Sequence, residues 1–129
     1  MPQYDIEVIL FRQLASSLAL PIFIVDPQGT LVYYNEPAET VFGRRFDETG
    51  EMDMSEWSHV FSATDDQGHP LPPETLPLAI ALKNRHPAHG RLWIRGLDKV
   101  PRLIEVTALP LIGQANRFLG AAAIFWASA

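Results

Sequence analysis

The sequence predicts an α+β domain, one antiparallel sheet with helices packed on one face. Three observations carry this reading. A segment with helical apolar spacing opens the chain. Two short β-branched and aromatic runs follow it, joined by a four-residue turn. Three longer alternating runs close the chain, with helical segments lying between the two groups of strands. At 129 residues the length fits one domain and not two.

Tyr4 to Ala19 reads as the first helix, with Asp5 and Glu7 favouring the dipole at its start. Ile6, Ile9, Leu10 and Leu14 keep helical spacing on one face, and Val8, Phe11, Ala15 and Leu18 mark a second. A helix apolar on two faces needs more than one neighbour. Pro21 ends it. Ile22 to Val25 and Thr30 to Tyr34 form a hairpin around Asp26-Pro27-Gln28-Gly29, with Asp26 accepting a backbone N–H in the turn. Asn35 is placed to cap the next helix, a role whose loss costs about 1 kcal/mol. Glu36, Pro37 and Glu39 suit the first turn of that helix, and Gly43 stops it.

Arg44 to Pro73 is polar and reads as irregular, with one helical turn around Trp57 and Phe61. Those two aromatics are expected to pack over the mouth of the core, because so long a loop needs an anchor. Asp65, Asp66 and Gly68 make a turn. A helix from Pro73 to Arg85 carries Leu76, Ala79, Ile80 and Lys83 in register, with Leu78 and Leu82 beside them, and His86-Pro87 ends it. Arg91 to Arg95, Arg102 to Leu111 and Phe118 to Trp126 are the remaining strands.

Composition narrows the function. Hydrophobic residues make up 47% and charged residues 19%, enough apolar side chain for a true core. A net charge of −5, with no run of more than two Lys/Arg, argues against a nucleic-acid surface. The absence of cysteine excludes disulfides, thiolate catalysis and cysteine-ligated metal. No apolar run approaches a membrane span and no signal peptide is apparent, so a soluble cytoplasmic domain without membrane partners is expected.

Four pieces in this order and spacing resemble a PAS domain, the small sensory module of bacterial signalling proteins. They are the hairpin Ile22-Phe23-Ile24-Val25-Asp26-x-x-Gly29, the run Val32-Tyr33-Tyr34-Asn35 entering a helix closed by Phe42-Gly43, the helix Pro77-Leu78-Ala79-x-Ala81-Leu82, and the pair Leu103-Ile104-Glu105-Val106-x-Ala108-x-Pro110-Leu111 and Leu119-Gly120-Ala121. The likeness covers about Leu14 to Trp126. It implies a five-stranded antiparallel sheet, residues 21–129 as the sensor domain, and residues 1–20 as a flanking, dimerising helix. Relatives that feed an output domain often follow the last strand with Asp-(Ile/Val)-Thr, whereas Ala127-Ser128-Ala129 stands here. The expectation is a domain that stands alone or one cut from a longer chain.

Strand alternation then sorts the candidates. With the strands placed as the resemblance implies, the inner set is Phe23, Val25, Leu92, Ile94, Ile104, Val106, Ala108, Ala121, Ala123 and Phe125, faced by Val41, Phe42, Leu78 and Leu82 from the helices, with Trp57 and Phe61 at the mouth. One reading is a filled core. The other is a small cavity for an apolar ligand such as a fatty acid, favoured by the space that Ala108, Ala121 and Ala123 leave. Its pocket candidates are Phe23, Val25, Val41, Phe42, Trp57, Phe61, Leu78, Leu82, Ile94, Ile104, Val106, Ala123 and Phe125. No cofactor is expected. Flavin photochemistry of the kind seen in relatives needs a cysteine, and inner strand positions lack the Asn and Gln a flavin ring would use. His86 and His89 lie near the place where haem-binding relatives supply an imidazole, but a histidine at a helix C-terminus has a simpler role there. His59 and His69 read as solvated, and no histidine pair has metal-binding spacing.

No catalytic motif appears. Asp65-Asp66 sit in a turn and point apart. A small α+β cone enzyme would need an acidic residue inside, whereas Glu105 falls on the outer parity. Pro70-Leu71-Pro72-Pro73 reads as a stiff lead-in to the following helix rather than a polyproline ligand. Trp93, Leu103, Leu109, Ile124 and Trp126 share the outer parity and form an apolar patch that needs a cover, for which the two-faced first helix is the candidate. The expected function is a non-enzymatic sensor or interaction module in signal transduction, with a signalling protein as a further partner. It would be a homodimer built on Ile6, Ile9, Leu10, Leu14 and the outer patch. The alternative is a purely structural dimerisation or scaffold module.

Overall fold

The computed structural model describes residues 6–95 and 99–128. Tyr4 and Asp5, the expected start of the first helix, lie outside them. Helix α1 runs Ile6–Ser16, followed by strands β1 (Ile22–Val25) and β2 (Leu31–Tyr34) and helices α2 (Glu36–Phe42), α3 (Phe46–Thr49) and α4 (Met54–Phe61). A 3-10 turn, Pro73–Thr75, leads into α5 (Pro77–Asn84). Strands β3 (Ala88–Arg95), β4 (Pro101–Ile112) and β5 (Phe118–Ala127) complete the fold. All pairings are antiparallel and the sheet order is β2-β1-β5-β4-β3. The α+β reading and the five-stranded sheet hold.

The hairpin turn is held as its sequence predicts. Asp26 Oδ1 accepts from the N–H groups of Gln28 (2.9 Å) and Thr30 (3.0 Å). Gly43 closes α2 at φ 87, a left-handed conformation that favours glycine. Gly120, at φ 126, lies where β5 enters its antiparallel pairing with β1, and a Cβ there would collide with the Val25 carbonyl oxygen.

Four expectations need correction. Helix α1 stops at Ser16, well before Pro21. Arg44–Pro73 contains two helices rather than one turn, because Asp53 caps α4 by accepting from Glu56 N–H at 2.9 Å. The expected helix from Pro73 breaks at Leu76, whose extended backbone separates the 3-10 turn from α5. Strand β3 starts three residues earlier than expected, at Ala88, and β4 gains Pro101 and Ile112, because the backbone there continues to pair with its neighbours.

The sheet's inner parity is as expected. Phe23, Val25, Leu92, Ile94, Ile104, Val106, Ala108, Ala121, Ala123 and Phe125 are all buried, in one cluster with Trp57 and Phe61. On the other face a second cluster joins Ala15 to Ile22, Ile24, Val32 and Ala122, with Phe11, Tyr33, Leu111 and Ile124 packed against it. Strand β1 is therefore buried on both sides. Helix α1 covers the β2-β1-β5 part of the outer face rather than the whole of it.

Candidate functional site

Between the inner sheet face and the helices lies a cavity of about 40 Å³. Its walls are Phe23, Leu92, Ile94, Ile104, Val106, Ala123 and Phe125 from the sheet, and Trp57, Phe61, Ala63, Leu76, Pro77 and Leu78 from α4, the following segment and α5. Every wall residue is apolar apart from the indole N–H of Trp57, which donates to the Gly29 carbonyl at 2.9 Å. That bond fastens α4 beneath the hairpin turn. Phe61 sits within ring contact of Phe23 (4.8 Å) and Phe42 (5.1 Å), so the aromatic core reaches from the cavity wall to α2.

Nine of the pocket candidates line this cavity: Phe23, Trp57, Phe61, Leu78, Ile94, Ile104, Val106, Ala123 and Phe125. Four do not. Val25 is buried elsewhere in the core, and Phe42 stacks on Tyr34 at 4.9 Å. Val41 packs on the core's margin, and Leu82 turns toward Gly29. Sequence reasoning missed Ala63, Leu76 and Pro77 as wall residues. Leu92 was already marked by strand alternation. Ala63 had no signal at all, since a lone alanine in a polar stretch has no periodicity.

The histidines weighed for haem face away from this space. His86 is exposed, with Nδ1 3.1 Å from the Pro87 carbonyl. His89 lies on the outer parity of β3, with Nδ1 3.1 Å from Thr107 Oγ1 and Nε2 3.7 Å from Glu105. His59 and His69 are exposed.

The second candidate site is α1. Val8, Phe11 and Ala15 face the sheet, while Ile6, Ile9, Leu10 and Leu14 are 68%, 43%, 56% and 54% exposed. Leu18, expected on the packed face, lies past the helix end and is exposed. The outer patch is only partly covered. Ile124 joins the cluster under α1, whereas Trp93, Leu103, Leu109 and Trp126 stay half-buried outside it. Polar groups interrupt that patch, including Glu105, Thr107 and His89, and the Trp93 indole donates to Asp66 at 3.2 Å.

Both ends of α1 are fastened by polar groups. Near its start, the Glu7 carboxylate accepts from Arg117 (3.2 and 3.3 Å) and from Gln114 N–H (3.3 Å), in the β4–β5 connection. Hydrogen bonds from its own and the Gln114 backbone N–H, with the Arg117 charge, lower the Glu7 pKa. At the other end stands Asn35, which is completely buried. Its Oδ1 accepts from Ala38 N–H (3.2 Å), capping α2, and from Ile22 N–H (3.0 Å) in β1. Its Nδ2 donates to the carbonyls of Ala15 (2.9 Å) and Leu20 (2.8 Å), at the end of α1 and beyond it. Nearby, the Tyr34 hydroxyl donates to the Arg44 carbonyl at 2.8 Å, and burial raises its pKa.

A family model described as "PAS domain" matches residues 9–78, more than half of the chain. No curated protein matches. Among solved structures, the PAS domain from Bordetella pertussis BvgS superposes with TM-score 0.65 at 15% identity, over 95% of this chain and 86% of that one. The PAS domain of nitrogen regulation protein NR(II) from Vibrio parahaemolyticus gives 0.65 at 20%, over 92% and 98%. The Rhodobacter sphaeroides LOV protein gives 0.74 at 12%, over 97% and 69%. At such identities the likeness speaks for the fold.

Proposed function

The chain belongs to the PAS domain family, and from that premise we propose a non-enzymatic, cytoplasmic sensor or interaction module that works as a homodimer. PAS domains are sensory modules of signalling proteins. The observation that carries the dimer is α1 itself, seated on the sheet by one apolar face while Ile6, Ile9, Leu10 and Leu14 remain exposed. A second copy would bury this stripe, helix against helix, together with the half-buried Trp93, Leu103, Leu109 and Trp126. A signal would then be a change in how α1 packs, read by a partner signalling protein. Sedimentation of the full chain at tens of micromolar tests the dimer, and removal of Met1–Ser16 should leave a monomer or an aggregate. A monomeric full chain refutes it.

The apolar walls of the cavity favour a second element, a small apolar ligand. A volume of about 40 Å³ suits a molecule of a few heavy atoms. A fatty acid needs a pocket nearer the usual ligand range, about 300 Å³ or more, so α4 and α5 would have to part to admit one. Native against denaturing mass spectrometry separates this from a scaffold with a filled core, since a carried ligand adds mass only in the native spectrum.

A further inference from the structure

Asn35 is a buried polar side chain at the meeting point of four segments, and each of its side-chain hydrogen-bonding positions is used. A helix cap needs only the Oδ1 bond to Ala38 N–H. The other three bonds do something else. One holds β1, and the two from Nδ2 hold the last turn of α1 and the connector after it. The carboxamide therefore divides by atom: its oxygen serves the sheet and α2, its nitrogen serves α1.

The same residue sits one aromatic layer from the cavity. Phe42, on the helix that Asn35 caps, contacts Phe23 at 5.3 Å and Phe61 at 5.1 Å, and both rings are cavity walls. Ala38, whose N–H meets Oδ1, lies one turn before Phe42 on the same helix. A displacement of the wall at Phe61 thus meets β1 through Phe23 and α2 through Phe42, the two elements whose N–H groups the Asn35 oxygen holds.

We infer that the Asn35 carboxamide couples the cavity side of the domain to α1, so that its two Nδ2 bonds set whether α1 stays on its own sheet. This rests on α1 being the output element, as proposed above. Two variants separate the halves of the side chain. Asn35→Asp keeps the shape and both acceptor bonds but aims an acceptor at the Ala15 and Leu20 carbonyls. Asn35→Ser keeps a capping oxygen and cannot span to α1.

The experiment is amide hydrogen exchange on the full chain, followed residue by residue. In both variants the hydrogen-bonded amides of α1 should exchange faster by about tenfold to a hundredfold beyond whatever β4 and β5 lose through the drop in global stability. A merely structural role would not predict the second arm. Ala63→Val, which fills the cavity wall, should change α1 exchange by about twofold to thirtyfold in the wild-type background. It should leave α1 exchange unmoved in the Asn35→Asp background. Three results overturn the inference: α1 protection unchanged in both variants, α1 and sheet losing protection equally, or an Ala63→Val effect on α1 that persists without the carboxamide. The sedimentation result bears only on the dimer, so the two ideas fail separately.

Discussion

Replacing Trp57 with alanine should unfold this domain more readily than any substitution at the other two tryptophans. Trp57 is 2% exposed and stands edge-on to Phe61 at 6.2 Å. Removing so large a buried side chain costs about 3–5 kcal/mol, the spread depending on how far α4 collapses into the space. The lost indole N–H also leaves the Gly29 carbonyl without its 2.9 Å donor, adding about 1 kcal/mol or more. Trp57→Phe isolates that second part, since it keeps most of the ring and drops the donor, and should cost about 1–3 kcal/mol. Trp93→Phe is the control. Its indole bond to Asp66 is 3.2 Å long and solvent-exposed, so a change within about 0.5 kcal/mol is expected. Urea unfolding at constant m-value gives all three numbers. Equal midpoints for Trp57→Phe and Trp93→Phe would refute the assignment of Trp57 as the pin between α4 and the hairpin.

Asn35→Ala should cost about 3 kcal/mol or more in urea, well above the ~1 kcal/mol of a plain cap, because it strands the Ile22 and Ala38 N–H groups and the Leu20 carbonyl and takes one of two donors from the Ala15 carbonyl. A loss of only about 1 kcal/mol would mean that water replaces the other bonds. Gly120→Ala should disrupt the β1–β5 pairing and lower the thermal midpoint sharply, since the added Cβ meets the Val25 backbone; an unchanged midpoint counts against that register. The Glu7 carboxylate, with its pKa lowered from 4.5, contributes its hold on α1 above the unfolded value and loses it as pH falls through the lower folded value. Protection factors at the start of α1 should therefore fall in acid below that range, and Glu7→Gln should abolish that fall.

Much of this fold was legible because its signals are local. The β-branched runs, the Asp26–Gly29 turn and the alternation of Leu92, Ile94, Ile104 and Val106 each declare themselves within a few residues. Helix α4 shows in the sequence as a helical turn around Trp57 and Phe61, and its full length is written in Asp53 with Glu56 three residues on, a helix-start pattern hidden in a polar stretch. Asn35 shows the opposite case. Its capping role follows from its position, but its other partners are the backbone carbonyls of Ala15, in α1, and Leu20, in the connector after it, which leave no mark on side-chain pattern. The cavity's size was likewise out of reach, since a few alanines say that space exists without saying how nearby rings fill it. The outer parity of Trp93, Leu103, Leu109, Ile124 and Trp126 follows from alternation, whereas how far α1 reaches over them does not: the Asn35 bond to the Ala15 carbonyl holds the helix over β1, where it covers Ile124 and leaves Trp93 outside.

The energetics of the proposed dimer are close to balance. The exposed fractions of Ile6, Ile9, Leu10 and Leu14 amount to about two whole side chains per protomer, so mutual burial contributes about 6–12 kcal/mol to a symmetric pair. Association costs about 4–15 kcal/mol, which leaves the stripe near balance and gives Trp93 and Trp126 the deciding contribution. Sedimentation equilibrium of the full chain at tens of micromolar, beside Leu10→Glu, tests this most directly. Leu10 is 56% exposed, so the substitution leaves the protomer's own core intact. A dimeric wild type and a folded, monomeric Leu10→Glu are the predicted pair of results. A wild type that sediments as a monomer, or a Leu10→Glu that still dimerises, contradicts the account.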